Sequence, residues 1–372
     1  MGVRLAQLLV LAAVAQTAPV NDRAAVLASF GVVAAFAVFS DAGGSSYLLT
    51  RDQVSRRMMI GAATVQGTIA FAGAVLATAF SMITLPWEDA AFALLYVGCY
   101  ALSQALDSAT RAVRAVQLQA GRDLAYAFGD GALGATKLIL ALVGLLLGSM
   151  AFVLALPAAS LVVLTTMFFL AWRSTSSEGP GVSVGALIQF GISGAVSGIY
   201  TQVPFLIATA VAPVAAVASL AIALRVIQPL EILPATASQQ LMPRIRARPL
   251  RARPIWIAAV ATGGLLAPIV WAATPLLQFV FDTQFEPSFI VGLLCLTVPL
   301  KFGNYMLTAF LLARGQVNHK TLASLIVGVL AVVGSLLSVP LWGTTAAVLT
   351  MVGAEVILGI ILATLIRHRQ QH

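Results

Sequence analysis

Apolar runs of roughly twenty residues, each enough to cross a hydrocarbon core of about 30 Å as a helix, recur along the chain with short polar breaks between them. Cutting the sequence at its polar positions gives spans near Val3–Val20, Ala24–Thr50, Met58–Trp87 and Ala90–Thr110, one from just after Arg122 to Gly148, and Ser149–Trp172. A second set follows: Val184–Ala208, a span from Pro213 toward Arg244, Ile255–Phe281, Ser288–Ala313, Thr321–Pro340 and Thr345–Ile366. The first run, with Arg4 ahead of a Leu/Ala stretch, also fits a cleaved signal sequence; the long series of later spans favours a retained, short helix. The pattern therefore predicts an all-α integral membrane protein of about 12 transmembrane helices.

The polar breaks carry further information. Ser174–Ser183 (STSSEGPGVS) is rich in Ser, Gly and Pro and falls near the middle of the chain. It divides the sequence into residues 1–173, a linker at 174–183 and residues 184–372, six spans on each side. Two six-helix lobes around a central cavity fit the architecture of secondary transporters. Placing both termini in the cytoplasm puts Arg4, Arg51, Arg56, Arg57, Arg111, Arg114, Arg122 and Arg173 on the inside. Arg244, Arg246, Arg248, Arg251, Arg253, Arg314, Lys320, Arg367 and Arg369 join them. The outside breaks hold Arg23 with Asp22, Glu88, Asp89, Asp282 and Glu286. Positive residues concentrate on the cytoplasmic side of spanning helices, so this sorting supports the map.

Composition narrows the classes. Hydrophobic residues make up 60% of the chain and charged residues 9%, against about 25% charged in soluble domains. Mean hydropathy is +0.98. The net charge of +8 sits in short loops between apolar spans, which fits contact with anionic lipid headgroups and excludes nucleic acid as the expected partner. Cys99 and Cys295 both lie inside apolar runs, and the three histidines form no ligand pattern, so neither a structural disulfide nor a metal site is expected. Phosphate loops, metal-spaced His/Cys groups and nucleophile constellations are missing from the sequence, so an enzyme is not expected, nor any cofactor beyond a coupling proton or sodium ion.

Charges left inside the spans are the candidate chemistry. Lys137, Arg225 and Lys301 each fall near the middle of a span, too deep to reach the interface easily. Such cations face a watery cavity or a counter-ion. One reading is a pocket for an anionic substrate, most naturally a phosphate, for which Arg offers a planar fork and Lys a point charge. The other is that each cation pairs with an acid and only joins helices. The acids available are Asp130, Glu231 and Glu355. Asp130 lies seven residues before Lys137, on the same helix face. Glu355 suits a pair with Lys301 or Arg225, or ion coupling. Asp107, four residues before Arg111, suggests an interfacial pair within its helix. Asp41, before Gly43-Gly44, suggests a residue that positions a helix end. Gln66, Gln189, Tyr200, Gln202, Gln228 and Asn304 divide between cavity lining and helix-joining hydrogen bonds in a way sequence does not sort.

Several segments resemble a known group. Phe39–Arg51 (FSDAGGSSYLLTR), Val217–Val226 (VASLAIALRV) with Leu241–Arg244 (LMPR), Leu312–Gln316 (LARGQ) and Pro340–Val348 (PLWGTTAAV) are similar, in order and spacing, to the Wzx-type polysaccharide flippases of the MOP exporter superfamily. The resemblance implies alternating access by two six-helix lobes that move an undecaprenyl-pyrophosphate-linked oligosaccharide to the outer leaflet for surface polysaccharide biosynthesis. It would place Arg225, with Lys137 and Lys301, against the pyrophosphate, and it implies a polysaccharide polymerase or glycosyltransferases as partners besides membrane lipids. The chain departs from the family pattern at Ala218 and Leu220, and at Gln202 where an acid is common. The rival expectations are a drug or metabolite antiporter of the same superfamily and a non-transporting scaffold of a glycan-assembly complex. A membrane glycosyltransferase is disfavoured by the short outside loops.

Overall fold

The structure, a computed structural model, describes residue 13 and residues 18–51, 53–147, 149–177, 179–247, 250–275 and 287–368. Most of the expected first span lies outside them, as do Asp282, Glu286, Arg248 and Arg369. Among the described residues all regular structure is helical apart from one β-bridge between Ser55 and Ser176. Ten segments among them are long and apolar enough to cross a membrane, and the protein is a multi-pass membrane protein. The last segment, Val317–Arg367, has 51 residues and would measure about 77 Å if straight, more than twice a hydrocarbon core. It bends at Gly343, whose φ of 58° and ψ of −140° a side chain would resist. The expected Pro340–Gly343 turn is thus a single glycine break between two crossing lengths.

The chain divides into two compact units, Met1–Ala195 and Val196–His372. The first contains α1 (Arg23–Phe39), α2 (Gly44–Leu49), α3 (Arg56–Thr84), α4 (Ala90–Gln119), α5 (Asp123–Leu147), α6 (Ser149–Trp172) and the start of α7 (Val184–Val211). Side chains close the helix starts: Ser55 accepts from the Met58 N–H at 3.1 Å, and Asp89 accepts from the N–H groups of Ala91 and Phe92. α1 and α2 are one span broken at Asp41–Gly43. Gly43 takes φ 73°, and a Cβ there would lie 2.6 Å from the Gly191 nitrogen, so only glycine fits the break.

Within this unit the two ends sort as the charges predict. At one end Asp22 Oδ1 accepts from the Glu88 N–H at 2.9 Å, and Asn21 Nδ2 donates to Glu88 Oε2 at 2.8 Å. At the other, Arg122 donates to Ser174 Oγ at 2.8 Å, and Arg51 and Arg56 stack on the rings of Tyr47 and Trp172. The Ser/Gly/Pro segment is anchored rather than loose. Ser55 Oγ donates to the Pro180 carbonyl at 2.8 Å, the Arg56 N–H to the Ser176 carbonyl at 3.0 Å, and the Ser183 N–H to the Tyr47 hydroxyl at 3.0 Å.

The span expected at Ala90–Thr110 is longer than its charges suggest. Ala90–Thr110 continues as α4 to Gln119, so Arg111 and Arg114 are helical and not loop residues. Arg114 is buried at 4% exposure because its guanidinium lies over the Tyr126 ring and donates to the Tyr126 carbonyl at 2.9 Å. Those contacts replace the water an interfacial arginine would otherwise need.

The second unit holds the rest of α7, then α8 (Val214–Ile227), a 3-10 turn (Gln228–Glu231), α9 (Ile232–Ala247), α10 (Ala252–Ala272), α11 (Pro287–Cys295), α12 (Thr297–Ala313) and α13 (Val317–His368). Its core joins Ile245, Leu307, Phe310, Leu311, Val327, Leu358, Leu362 and Ile366. Outward faces are apolar too: Leu265, Leu337, Leu341 and Trp342 are all exposed. A soluble protein would not present so continuous an apolar surface; a lipid-facing one must.

Candidate functional site

The 3-10 turn is the local cause of the candidate site. Pro229 has no N–H to give the Arg225 carbonyl, and Pro234 has none for that of Leu230, so the helix distorts between them. The distortion presents Arg225, Gln228 and Glu231 along a stretch where polar atoms need partners. Across from it, Lys301 on α12 donates to Glu231 Oε1 at 2.6 Å. Glu355 on α13, 3% exposed, accepts at Oε2 from Asn304 Nδ2 at 2.8 Å, and the same amide donates to the Glu355 carbonyl at 2.9 Å. Gly359 lets Asn304 in: a Cβ there would lie 2.8 Å from Asn304 Oδ1.

Glu231, Lys301 and Glu355 line one cavity of about 60 Å³, together with Tyr200, Thr201, Gln202 and Gln228. A water needs about 10–15 Å³ by this measure, so the space suits several waters or an ion. With both carboxylates ionised, one lysine against two acids leaves a net charge of −1 among these three side chains. Arg225, beside Gln228 of the same lining, supplies a second positive charge, so the four side chains together are neutral with both carboxylates ionised. Arg225, half-buried on the last turn of α8, reaches Gln228 Oε1 at 3.4 Å and so sits at the edge of the same polar group.

The first unit holds a different arrangement. Lys137 on α5 pairs with Asp107 on α4, and both are buried. Ser103 accepts from the Lys137 ammonium at 2.9 Å, and Ser160 donates to Asp107 Oδ1 at 2.8 Å. The pair is thus held by polar groups from α4 and α6 as well as by its own charges. The expected Asp107–Arg111 pair is not formed; a buried carboxylate is better served by a buried ammonium than by a guanidinium one turn away. Arg111 instead donates to Ser108 Oγ at 3.1 Å and lies 3.8 Å from Asp41 Oδ2. The side chain of Asp130, proposed to share a face with Lys137, lies outside the described residues.

The remaining polar residues now sort. Asp41 does position a helix end: its Oδ1 accepts from the Gly43 N–H at 2.9 Å. Gln66 is a joint, donating to Asp41 and Ser108 and accepting from the Gly44 N–H. Asn304 holds Glu355, Tyr200, Gln202 and Gln228 line the cavity, and Gln189 is exposed. Sequence reasoning missed Asp107 as the partner of Lys137. The signal available was Ser103 one turn before Asp107, two polar groups on one face of an apolar span.

No protein-family model and no curated protein matches the sequence. Solved structures do. The lipid II flippase MurJ in an inward closed conformation aligns with a TM-score of 0.70 at 14% identity, covering 98% of this chain and 85% of that one. An inward-facing multidrug resistance MATE family transporter of the MOP superfamily aligns at 0.66 and 13%, covering 99% and 95%. A mutant form of the Vibrio cholerae MATE transporter VcmN aligns at 0.64 and 16%, covering 99% and 94%. At these identities the likeness establishes the fold: the chain has the fold of these MOP-superfamily transporters.

Proposed function

We propose that the protein is a transporter that moves an undecaprenyl-pyrophosphate-linked oligosaccharide from the inner to the outer leaflet of the bacterial inner membrane by alternating access. Arg225 binds the pyrophosphate, and Glu355 carries the coupling proton or sodium ion. Lys301 holds Glu231 at the edge of the substrate path, while Lys137 joins helices. The observation that carries this reading is the half-buried Arg225 beside an intramembrane group of Lys301, Glu231 and Glu355, in a fold shared with MurJ. Intramembrane ionisable groups are costly to keep, and a transport path gives a reason for keeping them. Both termini lie in the cytoplasm in this reading, and a polysaccharide polymerase or glycosyltransferases stand beside the protein.

The test is lipid-linked oligosaccharide on the cytoplasmic face of cells lacking the protein. Accumulation reversed by the wild type but not by Arg225→Ala, at equal protein levels, is the expected result. Normal surface glycan without accumulation overturns the reading. A second reading, an antiporter for cationic molecules, rests on the two carboxylates in the same cavity and on the MATE likeness. It predicts that Glu231→Gln abolishes efflux of a cationic dye while Arg225→Ala does not.

A further inference from the structure

Arg111 is the exception in its own helix. From Asp107 to Gln117, every residue of α4 is buried except this one, whose side chain is 48% exposed. Three other cations of the first unit's helices are covered: Lys137 by Asp107, Arg114 by the Tyr126 ring, Arg56 by the Trp172 ring. Arg111 instead looks out beside the broken helix at Asp41–Gly43, where Asp41 is 43% exposed. Counting from the Asp89 cap, Arg111 lies 22 residues along, or about 33 Å, which is the far edge of a hydrocarbon core and the depth of headgroup phosphates.

The pair itself is loose. Arg111 Nη2 and Asp41 Oδ2 are 3.8 Å apart, beyond hydrogen-bond reach, whereas the sealed pair in the same unit is in close contact. Exposed ion pairs of that length add little to stability. Asp41 is otherwise fixed, with Oδ1 held by the Gly43 N–H and by Gln66 Nε2, so the outward oxygen Oδ2 is presented to Arg111 at a set distance. Gln66 also fixes Ser108, whose hydroxyl orients the guanidinium. The result is a half-exposed arginine, with one guanidinium nitrogen on Ser108 and next to one carboxylate oxygen that a better anion can displace.

We propose that Arg111 and Ser108 form an anion site for the pyrophosphate of the lipid-linked substrate, with Asp41 as its built-in competitor. The proposal rests on the flippase reading. A planar guanidinium takes two phosphate oxygens side by side, a geometry one carboxylate oxygen at 3.8 Å does not satisfy. Displacing Asp41 leaves its carboxylate in water and its Oδ1 bonds intact, so release needs no refolding.

The test is binding of a polyprenyl pyrophosphate to the full-length protein in phosphatidylethanolamine liposomes, with phosphatidylglycerol as the competing lipid. Arg111→Gln is expected to weaken binding by about ten- to hundredfold, the loss of a charge-assisted contact. Asp41→Asn keeps Oδ1 for Gly43 and Gln66 and removes only the competing charge; it is expected to tighten binding several-fold. The opposite signs are the point, because a purely structural pair would lose binding or thermal stability with either change. Unaltered binding by Arg111→Gln, or weakening by both variants, overturns the proposal. Equal affinity for phosphatidylglycerol overturns the assignment to the transported lipid. Failure of the wild type to bind polyprenyl pyrophosphate overturns the flippase reading and this site with it, whereas wild-type binding lost only in Arg225→Ala overturns this site alone.

Discussion

Each unit contains a lysine–carboxylate pair inside its spanning helices, and the two are built to different ends. In the first, Lys137 and Asp107 have side chains 4% and 8% exposed, with Ser103 and Ser160 bonded to them. In the second, Lys301 and Glu231 are 17% and 22% exposed, line a cavity, and share it with a further carboxylate. The same two functional groups give a closed joint in one place and, in the other, an open group with further charges beside it. Opposite charge alone does not distinguish a structural pair from a working one. Access to water and the balance of neighbouring charges do.

The largest expected effect breaks the closed joint. Lys137→Met leaves Asp107 buried without its counter-ion, at a cost of about 3–5 kcal/mol, and should remove folded protein from the membrane. The double variant Lys137→Met with Asp107→Leu should restore the protein level, since Ser103 and Ser160 lie 2.9 Å apart and can bond each other. Western blotting of membranes and thermal unfolding in detergent would check both. If the double variant also restores transport, the pair is architectural; if folded protein returns without transport, the contrast between the units is wrong.

Next in size is the open pair. Lys301→Ala should leave the protein level near wild type, because Glu231 then faces a cavity that admits water, but should lower transport by about a hundredfold, the effect of Glu231 no longer being held in place at the edge of the substrate path. A matching loss of protein would place this pair in the same class as the first. Glu355→Gln comes third. The amide can still accept from Asn304, so stability should fall by no more than about 1 kcal/mol, while the dependence of transport on external pH or sodium should flatten. Transport measured in inverted vesicles across pH, with and without sodium, gives the readout. An unchanged dependence removes Glu355 from coupling.

The smallest effect tests the anchored segment. Tyr47→Phe removes the acceptor for the Ser183 N–H, worth about 1 kcal/mol, and should speed protease cleavage between Ser174 and Ser183 with little change in melting. An unchanged cleavage rate would mean that Ser55 and Arg56 hold the segment without it.

Much of the fold was legible because its signals are local. Span positions follow from stretches of apolar residues, and the sorting of Asn21, Asp22 and Glu88 to one end of the first unit and of Arg51, Arg56 and Arg122 to the other follows from charge. Span four was cut short because Arg111 and Arg114 read as loop residues. Arg114 needed Tyr126, twelve residues on, to be accommodated inside a helix. The site was legible only in part. That Lys137, Lys301, Glu231 and Glu355 lie within spans was readable; that Lys301 takes Glu231 and leaves Glu355 to Asn304 was not.

By itself, then, the sequence determined a helical membrane protein of many spans, the positions of its inner charges and the glycines at its breaks. Burial in lipid acts on each short stretch independently, so composition within about twenty residues is enough to decide it. Only tertiary structure decided which charges meet. The partners are 30 residues apart for Asp107 and Lys137, 70 for Glu231 and Lys301, and 51 for Asn304 and Glu355, and only helix packing brings them together. Packing likewise decided that one lysine is sealed and the other open to water, and so which of them a substrate or an ion can reach.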